Sequence, residues 1–558
     1  MLPAAGDAAP DDATRVFAAA PGDATTVLPA APDAATAAFA VHPDDDATAV
    51  FGALADDAPA EEPADAASGA GAAPGIRPGD RDAADGGILA SIVAFAKRHR
   101  IALLVAAGVI ALSGIGGAAV ALGSASNRPA PIVAPTPSET PEAAARPTPA
   151  VVSDPIAIVQ PRVRECSVAE LAADPRLANL QAQVVNAATG EVLFDRGGDV
   201  PSRTASALKV LTSAAALAVL GPDYRTSTTV VAGTEPGTVV LVGGGDVTLS
   251  RTPSGSQTVY PNAAHLDELV AQTRAAWAAD PSRPPIQKIV LDASRFDGAE
   301  WQPSWNEAER WAGYMPSITA LMVDGDRDDP YSEVSPRGTD PIGRAGQAFA
   351  EQLGVFNVER GVAPEGAQVL AEVASPSVAE LVDKALVVSD NTVAEMLARL
   401  VAIETGAGRS FDAVDQGLKS GLAGYGIELD DVHFADGSGL SDDNAVPPDY
   451  FTRLFQQIDA REGNLGYILD SLPVAGERGS LAYGDRFAGD NWVAHGSVIA
   501  KTGWIDTGYT LAGIVRAEDG TTLTFAIYAL GEVSDDAKQA IDTLATGFYR
   551  CGDELSNE

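Results

Sequence analysis

Three short strings in this chain carry side chains suited to acyl transfer, and they occur in a set order: Ser206-Ala207-Leu208-Lys209, Ser389-Asp390-Asn391 and Lys501-Thr502-Gly503. A serine hydroxyl is a poor nucleophile until a neighbouring base takes its proton, and a lysine amine can be that base once it is neutral. A three-residue spacing sets Ser206 and Lys209 on one helix face, within mutual reach. At a helix N-terminus the positive end of the dipole opposes a charged Lys209, and burial acts in the same direction. Ser389 offers a hydroxyl able to hand a proton to a leaving amine, and Asn391 an amide able to hold both a substrate amide and Lys209. Lys501 supplies positive charge, Thr502 a hydroxyl, and Gly503 the bare backbone that close approach of a ligand requires. Each string alone is a weak signal; their order and local settings carry the information.

Those settings dictate the elements that position them. Ser206 opens an Ala/Leu-rich run ending near Gly221, which reads as a helix. Ser389 to Asn391 separates the apolar run 385–388 from a helical segment at 392–400, so it reads as a turn that projects side chains into a cleft. Lys501 ends a strand that begins near Ser497. The folded region opens with β-rich runs at 181–186 and 191–195 around Thr189-Gly190, a hairpin signal. It closes with strand-like runs at 497–501, 509–515 and 523–529, then a helix expected to be capped by Ser534 and to run towards Cys551. Early and late strands in one antiparallel sheet with helices packed on it make an α+β arrangement. That topology brings together Cys166 and Cys551, the only cysteines. A disulfide is expected if the domain lies outside the reducing cytoplasm, and two unrelated buried thiols otherwise.

Agreement with a known family extends beyond the three strings. Val242-Gly243-Gly244-Gly245-Asp246, the run from Ser389 to Leu397, Asp436-Gly437-Ser438-Gly439-Leu440-Ser441 and Ser471-Leu472-Pro473-Val474-Ala475-Gly476 all resemble segments of the penicillin-binding-protein-4-type D-alanyl-D-alanine carboxypeptidases/endopeptidases. The resemblance runs from about residue 166 to 550. It implies a β-lactamase/DD-peptidase-like transpeptidase fold over 166–552, an inserted domain region at about 230–375 within the 183-residue gap between Ser206 and Ser389, and a tail at 553–558. It further implies Ser206 as the acylated nucleophile, Lys209 as its base, and Ser389 and Asn391 as aids to proton transfer and substrate binding. Lys501 and Thr502 would hold the substrate's terminal carboxylate, Gly503 would let the substrate approach the same strand, and the backbone N–H groups of Ser206 and Trp504 would form the oxyanion hole. Peptidoglycan stem peptides are then the substrate, β-lactams the inhibitors, and no cofactor is needed. Two positions depart from the family: Thr204 stands where Pro is common, and Trp504 where a small Thr or Ser is usual. The bulk of Trp504 is therefore expected to alter substrate fit. Two rival readings are a catalytically weak penicillin-binding scaffold regulated through its tail, and a related β-lactamase or esterase.

Composition bounds the rest. The 558 residues carry 37 Lys+Arg against 76 Asp+Glu, a net charge of −39, which excludes nucleic acid as a partner. The five histidines form no His-x-x-x-His pair, so no metal is expected. The run from Asp324 to Asp329 looks superficially like a calcium loop but lacks its glycine and glutamate positions. Residues 1–96 hold sixteen Asp/Glu against three arginines and few aromatics, and read as a disordered acidic tail. In it an acid–Thr–apolar pattern recurs around Thr14, Thr25, Thr36 and Thr48. Drift in a biased composition is one reading of the repeat. The other is a set of sites for a Ser/Thr kinase, read by a forkhead-associated-domain protein. A basic run at 97–100 precedes an uncharged apolar stretch at 101–123, which together read as one transmembrane helix with a cytoplasmic N-terminus. A cleaved signal peptide is the competing reading, against the length of the leader. A Pro-rich spacer at 124–165 would hold the catalytic domain outside the cell, away from the membrane.

Overall fold

The structure, a computed structural model, describes residues 163–558. The candidate phosphosites Thr14, Thr25, Thr36 and Thr48, the stretch 101–123 and nearly all of the spacer lie outside the described residues. Among the described residues no helix is long and apolar enough to cross a membrane.

Strand β1 (Cys166–Ser167) leads to a hairpin of β2 (Asn179–Asn186) and β3 (Val192–Arg196), turned at Gly190 with φ 73°. A single 3-10 turn at Ala205–Leu208 runs into helix α1 (Lys209–Val219). Then follow β4 (Ser227–Ala232), β5 (Thr238–Val242), α2 (Leu266–Ala278), β6 (Lys288–Asp292), α3 (Pro341–Leu353), β7 (Val358–Arg360) and β8 (Val369–Ala374). Helices α4 (Val378–Val387), α5 (Asn391–Glu404), α6 (Val414–Leu422) and α7 (Pro448–Asp459) come next. The chain ends with β9 (Val498–Ile505), β10 (Gly508–Arg516), β11 (Thr522–Leu530), α8 (Ala537–Cys551) and β12 (Leu555–Ser556).

The main sheet has the order β3-β2-β11-β10-β9 and is antiparallel throughout, so the first and last strands of the domain lie side by side. Its faces follow the two-residue period of a strand. Leu523, Phe525, Ile527 and Ala529 of β11 pack with Leu544 and Phe548 of α8, while Ala526, Tyr528 and Leu530 face the other way, into a core shared with Phe451 and Phe455 of α7. Both faces are covered by helices, so these strands read as continuous apolar runs rather than alternating ones. The fold is therefore mixed α+β. A second, mixed sheet of order β7-β6-β5-β4-β8 occupies Ser227 to Ala374 between α1 and α4, with its own core under α2 and α3.

Cys166 and Cys551 form a disulfide, with Cα atoms 5.4 Å apart. A bridge of this kind typically contributes about 2–4 kcal/mol. The segment expected as a tail continues the fold: β12 pairs in parallel with β1, and Arg196 donates to the Asn557 carbonyl. Ser534 is not the side-chain cap expected of α8. Its carbonyl accepts the Ala537 N–H (2.9 Å), whereas its hydroxyl turns to Asp536 Oδ1 (2.5 Å), an acceptor closer in sequence than the helix's first N–H groups.

Candidate active site

Helix α1 begins at Lys209, and its buried apolar face fixes the orientation of that residue's side chain in the core. Ser206 precedes it in the 3-10 turn, after Ala205 held at φ 45°, a left-handed conformation costly for alanine. That strain is imposed from two sides. The Thr510 hydroxyl donates to the Thr204 carbonyl (2.7 Å), and Gly439 packs so close that a Cβ there would overlap the Ala205 carbonyl. Gly503 needs its missing side chain for the same reason, since a Cβ would sit 2.8 Å from the Ser206 nitrogen.

Lys209 is wholly buried, and its Nζ has three acceptors around it: Ser206 Oγ at 2.7 Å, Asn391 Oδ1 at 2.6 Å and the Ser438 carbonyl at 2.7 Å. A neutral amine has two hydrogens and one lone pair. Only Ser206 of the three can donate, so the neutral amine gives its hydrogens to Asn391 and Ser438 and receives the Ser206 hydroxyl proton. Burial lowers the Lys209 amine to about 8, against the opposing carboxylates of Asp436, Glu395 and Asp390. Lys501, equally buried, donates to Ser389 Oγ (2.8 Å) and the Thr502 carbonyl (2.8 Å). Burial and the nearby Lys209 push it well below an ordinary lysine, so the fixed positive charge expected there is disfavoured before a ligand arrives. Ser389 sits at φ 62° in the turn between α4 and α5, and Asn391 Nδ2 donates to the Tyr314 carbonyl (3.3 Å).

Strand β9 is the edge of the main sheet among the described residues. The Ala475 N–H bonds the Val498 carbonyl (2.9 Å) and the Ala500 N–H bonds the Pro473 carbonyl (3.0 Å), both on the side away from β10. In an antiparallel ladder alternate residues turn both backbone groups outward, so Thr502 and Trp504 present theirs to the same open edge. Segment 473–475 thus covers the first half of the edge and leaves the second half beside Ser206. The parity also turns the indole of Trp504 to the sheet face opposite Gly503. There it is 48% exposed, with its ring 6.3 Å from that of Tyr509, so the bulk expected to alter substrate fit points away from the nucleophile.

Six of the seven residues of the three strings with an expected role meet at this cleft through the contacts above. Thr502, whose side chain shares the parity of Trp504, brings its carbonyl to Lys501 and its hydroxyl to Ser480. Others were missed. Glu395 accepts the Gly437 N–H (3.0 Å) and the Ser438 N–H (2.7 Å), holding the loop whose carbonyl meets Lys209. Asp436 accepts from Trp305, Gly439, Ser441 and Asn444. Ser480 Oγ lies 2.7 Å from Thr502 Oγ1. A carboxylate set between the apolar residues of 393–398, five positions after Asp390, is the available signal for Glu395.

Comparison with known proteins gives one consistent answer. The profile of the D-Ala-D-Ala carboxypeptidase 3 (S13) family matches residues 165–339 and 331–548. Carboxypeptidase DacB of Mycolicibacterium smegmatis is 35% identical over 396 residues, covering 69% of this chain and 84% of that protein. The D-alanyl-D-alanine carboxypeptidase of an Actinomadura species is 31% identical over 415 residues, covering 62% of this chain and 76% of its own. The crystal structure of penicillin binding protein 4 (dacB) from Haemophilus influenzae superposes with a TM-score of 0.57 at 20% identity, covering 68% of this chain and 99% of that one. A second structure of that protein, in complex with a β-lactam, gives a TM-score of 0.51.

Proposed function

From the D-Ala-D-Ala carboxypeptidase 3 (S13) family, to which this chain belongs, we infer a serine-type D-Ala-D-Ala carboxypeptidase acting on peptidoglycan. The observation that carries the site assignment is Lys209: a buried amine, 2.7 Å from Ser206 Oγ, whose two other neighbours can only accept. Neutral Lys209 takes the hydroxyl proton as Ser206 Oγ attacks the carbonyl carbon of the penultimate D-alanine. The developing oxyanion is received by the N–H groups of Ser206 and Trp504, a device worth roughly 3–4 kcal/mol. The C–N bond breaks, the proton passes through the Lys209, Ser389 and Lys501 hydroxyl and amine groups to the departing D-alanine, and an ester remains on Ser206. Water then attacks that ester with Lys209 again as base. The substrate lies along the open half of β9 as an added strand, its terminal carboxylate at Thr502 and Lys501. A carboxylate there favours the charged form of Lys501, so binding takes up a proton.

The same geometry accommodates a β-lactam, and the β-lactam complex of the Haemophilus protein supports that ligand class. Labelling with a fluorescent penicillin, with Ser206→Ala as control, and release of D-alanine from a monomeric pentapeptide test the reading together. Label that persists in Ser206→Ala, or no D-alanine released, sinks it. Parallel assay on cross-linked muropeptide measures endopeptidase activity.

The uncharged stretch 101–123 behind a basic run supports a single membrane anchor with the peptidase outside the cell, and the formed disulfide fits that compartment. The threonine repeats support a cytoplasmic tail phosphorylated at Thr14, Thr25, Thr36 and Thr48 and read by a forkhead-associated-domain protein. Mass spectrometry of the native tail that finds these threonines unmodified under all growth conditions ends that proposal.

A further inference from the structure

Asp390 lies between the two residues of the second string that face the cleft, and it is itself turned away into the core. Its Oδ1 accepts the Val393 N–H (3.0 Å) and caps α5; its Oδ2 accepts from Arg327 Nη2 at 2.9 Å. Both side chains are 2% exposed. Arg327 belongs to the region between α1 and α4 that carries the second sheet, so this ion pair crosses from that region to the helical layer holding the site. Its Nη1 donates to the Tyr260 hydroxyl (2.6 Å), and the guanidinium lies 4.8 Å from the centre of that ring.

The loop presenting Arg327 is built at a conformational cost. Asp324, Gly325 and Asp326 are all left-handed, at φ 52°, 58° and 58°, and two of the three are not glycine. The conformation is held from several sides. The N–H groups of Asp324 and Gly325 bond the carbonyls of Leu249 and Val247, both at 2.8 Å. The Asp324 carboxylate accepts from Ser250 (2.7 Å) and Arg251 (3.0 Å), Arg344 pairs with Asp326 (2.9 Å), and Arg337 donates to the Gly325 carbonyl. The run that looked like a calcium loop is thus an arginine-bound strut.

We propose that Arg327 is a positioning residue for acylation. Its ion pair with Asp390 holds Ser389 and Asn391 at the cleft, and it balances the Asp390 charge that would otherwise act on Lys209. The second sheet's region is then a working part of the site, to which it also contributes the Tyr314 carbonyl on Asn391.

The groups facing Lys209 are Asp390, Asn391 and Glu395 from α5, Asp436 and the Ser438 carbonyl from the 436–441 loop, Lys501 from β9, and Ser206. Asp390 in turn faces Arg327, Lys384 and Arg337. Burial would raise its carboxyl, but these three cations hold it well below the usual carboxylate range. Removing Arg327 alone leaves a buried carboxylate less well balanced, which favours protonated Lys209.

The inference rests on the acylation chemistry proposed above, and wild-type acylation serves as its internal control. The second-order rate of acylation by a chromogenic cephalosporin is measured against pH for the full chain and for Arg327→Gln, Arg327→Lys, Asp390→Asn and the Arg327→Gln/Asp390→Asn double variant, with melting temperatures. Arg327→Gln should acylate about ten- to a hundredfold more slowly at neutral pH, the scale of a misplaced catalytic group. Its acidic limb should move to higher pH, and the double variant should bring that limb back. Arg327→Lys, which keeps the charge but loses the two-pronged geometry, should lose rate with the limb in place. If Arg327→Gln does not fold, the lysine and double variants carry the test. Folded variants with wild-type rate and limb overturn the proposal, as does a rate loss matching only the unfolded fraction. Absence of acylation in the wild type instead overturns the chemistry it rests on.

Discussion

Acylation of Ser206 should be limited by the fraction of Lys209 that is neutral, and the structure sets that fraction. An ordinary lysine at 10.5 is neutral about once in three thousand molecules at pH 7. Burial brings Lys209 to about 8. That places about one molecule in ten in the active form, a net gain of roughly 300-fold, with burial outweighing the nearby carboxylates. The sign follows from the role. A base works deprotonated, so the rate falls as pH drops below about 8, by roughly two orders of magnitude between pH 9 and pH 6. Lys501 lies close enough to repel Lys209, so the observed limb belongs to the pair. Stopped-flow acylation by a chromogenic cephalosporin, in buffers of constant ionic strength, reads this limb directly. Lys209→Arg is the companion, because a guanidinium cannot shed its proton in this range and should abolish the reaction. A wild-type rate that stays flat from pH 6 to 9, or a Lys209→Arg variant that acylates with the wild-type profile, refutes the reasoning.

Three further outcomes follow from single contacts. Gly503→Ala should cut acylation at least about a hundredfold, because its Cβ would lie 2.8 Å from the Ser206 nitrogen and shift the nucleophile; a folded variant acylating at wild-type rate overturns that packing. Ser480→Ala removes the hydroxyl 2.7 Å from Thr502 Oγ1 and should raise KM for a carboxylate-bearing peptide about fivefold, the worth of one hydrogen bond, with kcat little changed; steady-state kinetics would show an unchanged KM if Ser480 has no part in binding. Cys166→Ser should lower stability by about 2–4 kcal/mol, read by denaturant unfolding beside a Cys551→Ser partner; unequal losses in the two variants would mean that something besides the bridge was removed.

The chemistry was legible in the sequence because it resides in residue type and order. A serine three positions before a lysine, a Ser-Asp-Asn turn and a Lys-Thr-Gly strand, in that order and in those local settings, point to one reaction, and the strands nearest each end are readable as apolar β-rich runs. What the linear order could not contain were the contacts between residues far apart along it. Arg327 looked like one charge in a metal-like acidic run, and only folding sets it 2.9 Å from Asp390, 63 positions later. Trp504 looked like an obstruction until strand parity turned its indole to the far side of the sheet. Lys209 was named from its spacing, but burial against Asn391 and Ser438 is what makes it a base, since a lysine's proton affinity depends on the water removed and the charges brought near. Residue identity thus chose the reaction, and the tertiary structure decided the protonation states and orientations on which that reaction depends.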